Sequence, residues 1–200
     1  MRAVPRWALV SSAAAPVLLI GGWTLAAARQ PGGFDQVAGT ISALAARDAD
    51  DRWIMTLALV GLGVCHCVTA AGLRPLDAAG RLTLALGGLA TVAVAVFPLP
   101  AERGSSGPHG LAAAIAFGAL ALWPALAVGR RRAPDRAAGL PPLWGTTAAA
   151  VLLVLVGWFV VELVVGGPRI GLAERVAAGA EALCPLLVVL TLRRSRPDTR

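Results

Sequence analysis

Six long apolar runs separated by short polar connectors constrain this chain more than any other feature. They cover residues 7–28, 53–73, 81–98, 110–129, 144–166 and 172–192. Each is about 20 residues long, the length at which a helix rising 1.5 Å per residue crosses the ~30 Å hydrocarbon core of a bilayer. Inside a bilayer every backbone polar group must be satisfied within its own segment, so each run is predicted to be helical. Composition leaves no alternative surface: 57% of the residues are hydrophobic and only 14% charged, with a mean hydropathy of +0.72. The expected fold class is all-α, a polytopic six-transmembrane-helix bundle forming a single membrane domain over residues 1–200.

The first run resembles a secretory signal, with Arg2 and Arg6 before it and Ala26–Ala28 at its end. A signal's apolar core spans only about 7–15 residues, and this longer run precedes five others, so it is read as a retained helix. Asp50 or Asp51 is positioned to cap the second helix, and Pro108 suits the first turn of the fourth. Glycines such as Gly61, Gly63, Gly80, Gly87, Gly88 and Gly179 within the runs allow close helix approach.

Charge sets the expected orientation. The net charge is +7, and every basic residue is Arg. With the N-terminus inside, twelve Arg are cytoplasmic, among them Arg130–Arg132 and the residues of tail 193–200, against six on the opposite face. That bias predicts a multi-pass plasma-membrane protein with both termini cytoplasmic. The basic excess is topological on this reading, and nucleic acid is not an expected partner. Membrane lipid is one expected partner, and an apolar small molecule a possible second.

The one substantial polar interruption, residues 29–52, then lies outside. Val37, Ile41 and Leu44 recur within it at helical spacing, while Asp35, Gln36, Ser42 and Arg47 fall elsewhere. A short amphipathic helix is therefore expected in this loop, lying on a surface.

Ionisable groups at membrane depth are costly and are the first candidates for function. Glu162 falls about one turn from the outer end of the fifth helix, Glu174 and Arg175 open the sixth, and Glu181 lies seven residues further along the face of Glu174. With His109 at the start of the fourth helix and the loop above, these groups converge on one end and predict a small outward-facing polar pocket. The alternative stands beside it: Glu162 and Arg175 as a structural ion pair, and Glu181 as a protonated or hydrogen-bonded core group.

Cys65, His66 and Cys67 resemble metal ligands, but consecutive helical positions project about 100° apart and do not close on one ion. A core His beside two incidental cysteines is the simpler reading, and no metal is expected. His66 and His109 lie at different depths, which disfavours a shared haem, and no cofactor is expected. Ser42, or Ser105 and Ser106, could serve as a nucleophile with His109 as base and an acid orienting it, although no nucleophile elbow surrounds them.

The stretches GTISALAARDADDRWIMT entering the second span, VFPLPAERGSSGPHGLAAAIAF joining the third and fourth, and GLAERVAAGAEALCPLLVV in the last resemble the prokaryotic membrane proteins grouped as domain of unknown function 998. The likeness covers nearly the whole chain. It implies an integral six-helix membrane protein without an assigned activity, and draws attention to Ser42, Asp51, Arg52, Pro98, His109, Glu174 and Arg175. A more distant similarity to the eukaryotic autophagy-modulator-like membrane proteins concerns topology alone. Three readings of function follow. The first is a protein binding a lipid or apolar small molecule through Ser42, Asp51, Arg52, His109, Glu162, Glu174, Arg175 and Glu181. The second is an intramembrane lipid hydrolase using His109 with Glu162, Glu174 or Ser42. The third is a proton-coupled transporter using Glu162 and Glu181.

Overall fold

In a computed structural model, the protein is described for residues 4–128 and 140–194. Six helices follow in order: α1 Arg6–Ala28, α2 Trp53–Gly72, α3 Ala78–Val96, α4 Gly107–Leu126, α5 Pro142–Val165 and α6 Ile170–Arg194. All six are long and apolar enough to cross a membrane, with 19 to 25 residues each, and there is no strand among the described residues. This is a multi-pass membrane-helix bundle. The basic cluster Arg130–Arg132 and the end of the tail, residues 195–200, lie outside the described residues.

Short connectors make sequence neighbours into spatial neighbours, and α6 returns to pack against α1, so the six helices close into a ring. Arg193 donates to the Val4 carbonyl at 3.1 Å, which puts the two chain ends at the same end of the bundle. Residues 29–52 cover the other, here called the loop end. Periodicity determines what faces inward. On α2 the buried residues Met55, Leu59, Leu62, His66 and Thr69 recur every three or four positions. Leu57 and Val64 of the same helix point out, as do Val17, Leu82, Leu89 and Val154 from others, toward the lipid. Helix α5 is the most apolar and least buried of the six, and on a membrane protein that is the mark of a peripheral, lipid-facing helix.

Glycine sets the closest approach. A Cβ on Gly63 would run into the Gly88 carbonyl, and one on Gly88 would lie 3.0 Å from His66 Cβ, so α2 and α3 cross nearly backbone to backbone. Two apolar clusters fill the ring. Leu19, Ile41, Leu44, Met55, Leu62 and Val94 belong to the one under the loop, while Leu73, Leu84, Leu120, Trp123, Val188 and Val189 belong to the one at the opposite end.

The loop departs from expectation. No amphipathic helix runs through it; its one helical element is the single 3-10 turn Ala43–Ala45. Ile41 and Leu44 are buried as the pattern implied, but Val37 is 45% exposed. The reason is competition for backbone groups. Gly32 and Gly33 take positive φ, and the Asp35 carboxylate accepts from the Val37 and Ala38 N–H groups. Thr40 accepts from Ala43 N, and the carbonyls of Gln36 and Gly39 bond to Arg175, so the donors and acceptors a helix would pair internally are used elsewhere. Nor does an acid cap α2. Its N-cap is Arg52, without a side-chain cap, while Asp51 adopts a φ of 49° and turns its carboxylate to Arg29 and Trp53. Caps do form elsewhere, with Asp77 accepting from Ala79 N on α3 and Ser106 from His109 N on α4.

Candidate functional site

The first turns of α6 carry the groups that hold the loop. Glu174 is 4% exposed and accepts from the Ile41 N–H and, at 3.2 Å, from the Ser42 hydroxyl. Arg175 donates through Nη1 to the carbonyls of Gln36, Gly39 and Gly171 at 2.8, 2.7 and 3.0 Å. Its guanidinium carbon lies 5.9 Å from the Trp23 ring centre and 5.8 Å from that of Phe34, which helps accommodate a buried cation. Leu172 N bonds to the Val37 carbonyl at 3.0 Å. At Gly171 a Cβ would collide with the Gly39 carbonyl, so the loop backbone rests directly on α6.

Helix α4 completes this contact. Capping the helix at Ser106 puts His109 in its first turn, where the residue is 7% exposed. Its Nδ1 lies 2.9 Å from the Phe97 carbonyl and its Nε2 3.2 Å from Ser42 Oγ. Glu174, Ser42 and His109 therefore form one hydrogen-bonded row drawn from α6, the loop and α4.

Beneath the loop lies a cavity of about 50 Å³, walled mainly by Leu19, Leu59, Leu62, Val94, Phe117 and Leu120. Ser42 and Glu174 line it from the loop side, and His66, Thr91 and Glu181 add polar groups from α2, α3 and α6. Thr91 bonds its own helix, donating to Gly87 O at 2.8 Å. Both ring nitrogens of His66 and Oε1 of Glu181 have no protein partner, although the residues are 1% and 2% exposed. Buried polar atoms in native proteins are nearly always paired; Trp123 Nε1 and the Arg175 Nε and Nη2 are also without a partner, but only His66 and Glu181 among these residues line the cavity.

The remaining candidates lie elsewhere. Glu162 accepts from Trp158 Nε1 at 3.2 Å and Arg169 N at 3.1 Å, bracing the end of α5 and its turn into α6. It is not on the cavity lining, and among the described residues it makes no ion pair with Arg175. Asp51 pairs with Arg29 at 2.8 Å; that hydrogen bond, followed by the one from the Trp53 indole, holds its carboxyl below the usual 3.8. Arg52 donates to Ala45 O at 3.4 Å within the loop. The loop acids Asp35, Asp48 and Asp50, with Glu102, surround a separate polar hollow of about 280 Å³. Cys65 and Cys67 are half-buried free thiols, and Cys67 Sγ donates to Ala85 O at 3.5 Å.

Comparison with known families decides where the chain belongs, for residues 13–191 match the family described as Protein of unknown function (DUF998). The chain is a member of the DUF998 family. The match takes in α2 to α5, the loop, α1 from residue 13 and α6 up to residue 191, and hence every residue of the DUF998 cavity and of the Glu174–Ser42–His109 row. No curated protein and no solved structure matches this DUF998 chain.

The residue of this DUF998 site that sequence reasoning did not connect to it is His66. The signal was present in the α2 stripe, where His66 continues the inward series of Met55, Leu59 and Leu62 and leaves Cys65 and Cys67 to either side. On α6, Glu174, Ala177, Glu181 and Val188 form the matching inward face.

Proposed function

We propose that this DUF998 protein is a membrane-embedded binding protein that takes an apolar guest with a hydrogen-bonding group in the cavity beneath residues 29–52. One observation carries the reading: His66 and Glu181 present unpartnered buried polar atoms to a single apolar-walled cavity. Apolar walls with a few convergent polar groups are the usual composition of a small-molecule site. A cavity of about 50 Å³ admits a group of only a few heavy atoms, since a 150 Å³ cavity is needed for a guest the size of benzene. The guest is therefore either a small molecule or one end of a membrane lipid. Ile41 and Ser42 of the loop form part of the cavity lining.

Native mass spectrometry of the protein released from nanodiscs tests this. A retained adduct is expected in the wild type and its loss in the double variant His66→Leu, Glu181→Leu. An adduct of lipid mass and one of a few hundred daltons or less separate the two sources. A wild type without adduct, or a double variant with the same adduct, would sink the proposal.

A hydrolase reading has one observation in its favour, the 3.2 Å from Ser42 Oγ to His109 Nε2. Against it, the neighbouring Ile41 N–H, the kind of backbone donor that would hold an oxyanion, is already given to the Glu174 carboxyl. Labelling of the purified protein by a fluorophosphonate probe at Ser42 would reinstate it; none is expected. The transporter reading loses its two-acid basis, because Glu162 braces the α5–α6 turn while Glu181 lines the cavity. We further infer residence in the plasma membrane, with both ends cytoplasmic and the loop outside, from the Arg asymmetry of the sequence. A C-terminal reporter active only outside the cytoplasm would reverse that orientation.

A further inference from the structure

The hydrogens in the Glu174–Ser42–His109 row can be counted. The Phe97 carbonyl only accepts, so His109 Nδ1, 2.9 Å away, carries a hydrogen. Glu174 Oε2 receives the Ile41 N–H and is an acceptor. Two positions remain where a proton can sit, Glu174 Oε1 and His109 Nε2, each 3.2 Å from Ser42 Oγ. With neither occupied, the single serine hydrogen serves one neighbour and leaves two acceptors facing each other at the other contact. With both occupied, both neighbours donate to Ser42 and its own hydrogen is turned out of the row. One proton satisfies both contacts, and does so in two ways. Either the Glu174 carboxyl donates to Ser42 and Ser42 to neutral His109, or the His109 imidazolium donates to Ser42 and Ser42 to the Glu174 carboxylate.

We propose that Ser42 is a proton relay joining Glu174 to His109, and that the row holds one shared proton which it passes between the cavity and the start of α4. In the transfer the Glu174 O–H bond breaks as Ser42 Oγ takes its proton, while Ser42 gives up its own hydrogen to His109 Nε2. One O–H bond is lost at Glu174, one is exchanged at Ser42 and one N–H bond forms at His109. The net charge of the row is zero before and after. Glu174 shares the cavity lining with His66 and Glu181, so a proton arriving there borders a space of about 50 Å³, large enough for a water-sized group, that those two residues also line.

The charged and titratable groups facing the row are Arg175 beside Glu174 on α6, Asp35 of the loop acting on Arg175, and, across the cavity, Glu181 of α6 and His66 of α2. From α1 the neighbour of Arg175 is the uncharged Trp23. The acid of α5, Glu162, is engaged by Trp158 and Arg169. None of these forms an ion pair with Glu174 or His109 among the described residues, and the charge of Arg175 acts on the row by favouring the carboxylate form of Glu174 and so the arrangement with the proton on His109. The relay does not depend on the ligand reading, and either can fail alone.

The full-length protein in nanodiscs, with nitrogen-15 histidine, tests it. Nitrogen-15 shifts report the charged fraction of His109, and the carboxyl infrared band that disappears in Glu174→Gln reports the protonated fraction of Glu174. In the wild type at neutral pH the two fractions are expected to add up to one proton, and on warming one rises as the other falls. Ser42→Thr, which keeps the hydroxyl, preserves this mirrored behaviour, whereas Ser42→Ala abolishes it. A wild-type total of zero or two, or mirrored behaviour in Ser42→Ala, overturns the proposal. Should Ser42→Ala not fold, the wild-type total and Ser42→Thr still decide.

Discussion

Glu174 and Glu181 lie seven residues apart on one face of α6, both almost inaccessible and both on the lining of one cavity, yet their surroundings are opposite. Glu174 is engaged by loop donors, the Ile41 N–H and the Ser42 hydroxyl. Glu181 keeps an oxygen without a protein partner and shares the cavity lining with His66, which has none for either nitrogen. A buried carboxyl that the fold has already satisfied is part of what holds the fold. One left unsatisfied is a cost the fold carries.

The largest expected effect is at the satisfied end. Glu174→Ala leaves the Ile41 N–H buried and unpaired, and should cost about 3 kcal/mol, the order of lost bonds to a buried carboxyl. Thermal unfolding in detergent or nanodiscs measures it; a loss below about 1 kcal/mol would mean the latch is incidental. Gly171→Ala attacks the same contact without touching a charge, because its Cβ meets the Gly39 carbonyl. Overpacking of this kind costs about 1–3 kcal/mol and should loosen the loop, as seen in faster proteolysis within residues 29–52.

At the other end the sign should change. Glu181→Met replaces an unsatisfied acid by an apolar side chain of similar size, and neutral to about 2 kcal/mol more stable is expected from the same unfolding measurement. A loss equal to that of Glu174→Ala would erase the distinction between the two acids. The smallest effect is at Asp51, outside the bundle. Its carboxyl is held below its ordinary 3.8 by Arg29 and Trp53, so its contribution is present above that value and fades as pH falls through the lower folded value. Asp51→Asn should be slightly less stable than wild type near neutral pH and indistinguishable from it in strong acid.

The fold was legible because the bilayer allows few solutions. Apolar runs near 20 residues can only be helices there, and α1 at Arg6–Ala28 and α2 at Trp53–Gly72 differ from the predicted 7–28 and 53–73 by a single residue. The loop was misread where side chains take the backbone's bonds. Val37, Ile41 and Leu44 have helical spacing, but Asp35, Thr40 and Arg175 claim the backbone groups a helix would need, and Arg175 acts from more than 130 positions away. Half of the site was visible for a similar reason. Glu174 and His109 are polar groups near span ends and Ser42 sits in the one substantial polar loop, so all three attract notice, whereas the role of His66 depends on a cavity shared with α6, which no local pattern encodes.

Amide hydrogen exchange at Ile41, measured in nanodiscs for the wild type, Glu174→Ala and Glu181→Met, tests the contrast between the two acids most directly. Slow exchange is predicted in the wild type and in Glu181→Met, with roughly 100-fold faster exchange in Glu174→Ala, the equivalent of about 3 kcal/mol. Equal acceleration by both substitutions, or an unprotected Ile41 amide in the wild type, would contradict a loop latched at Glu174 over a cavity left open at Glu181.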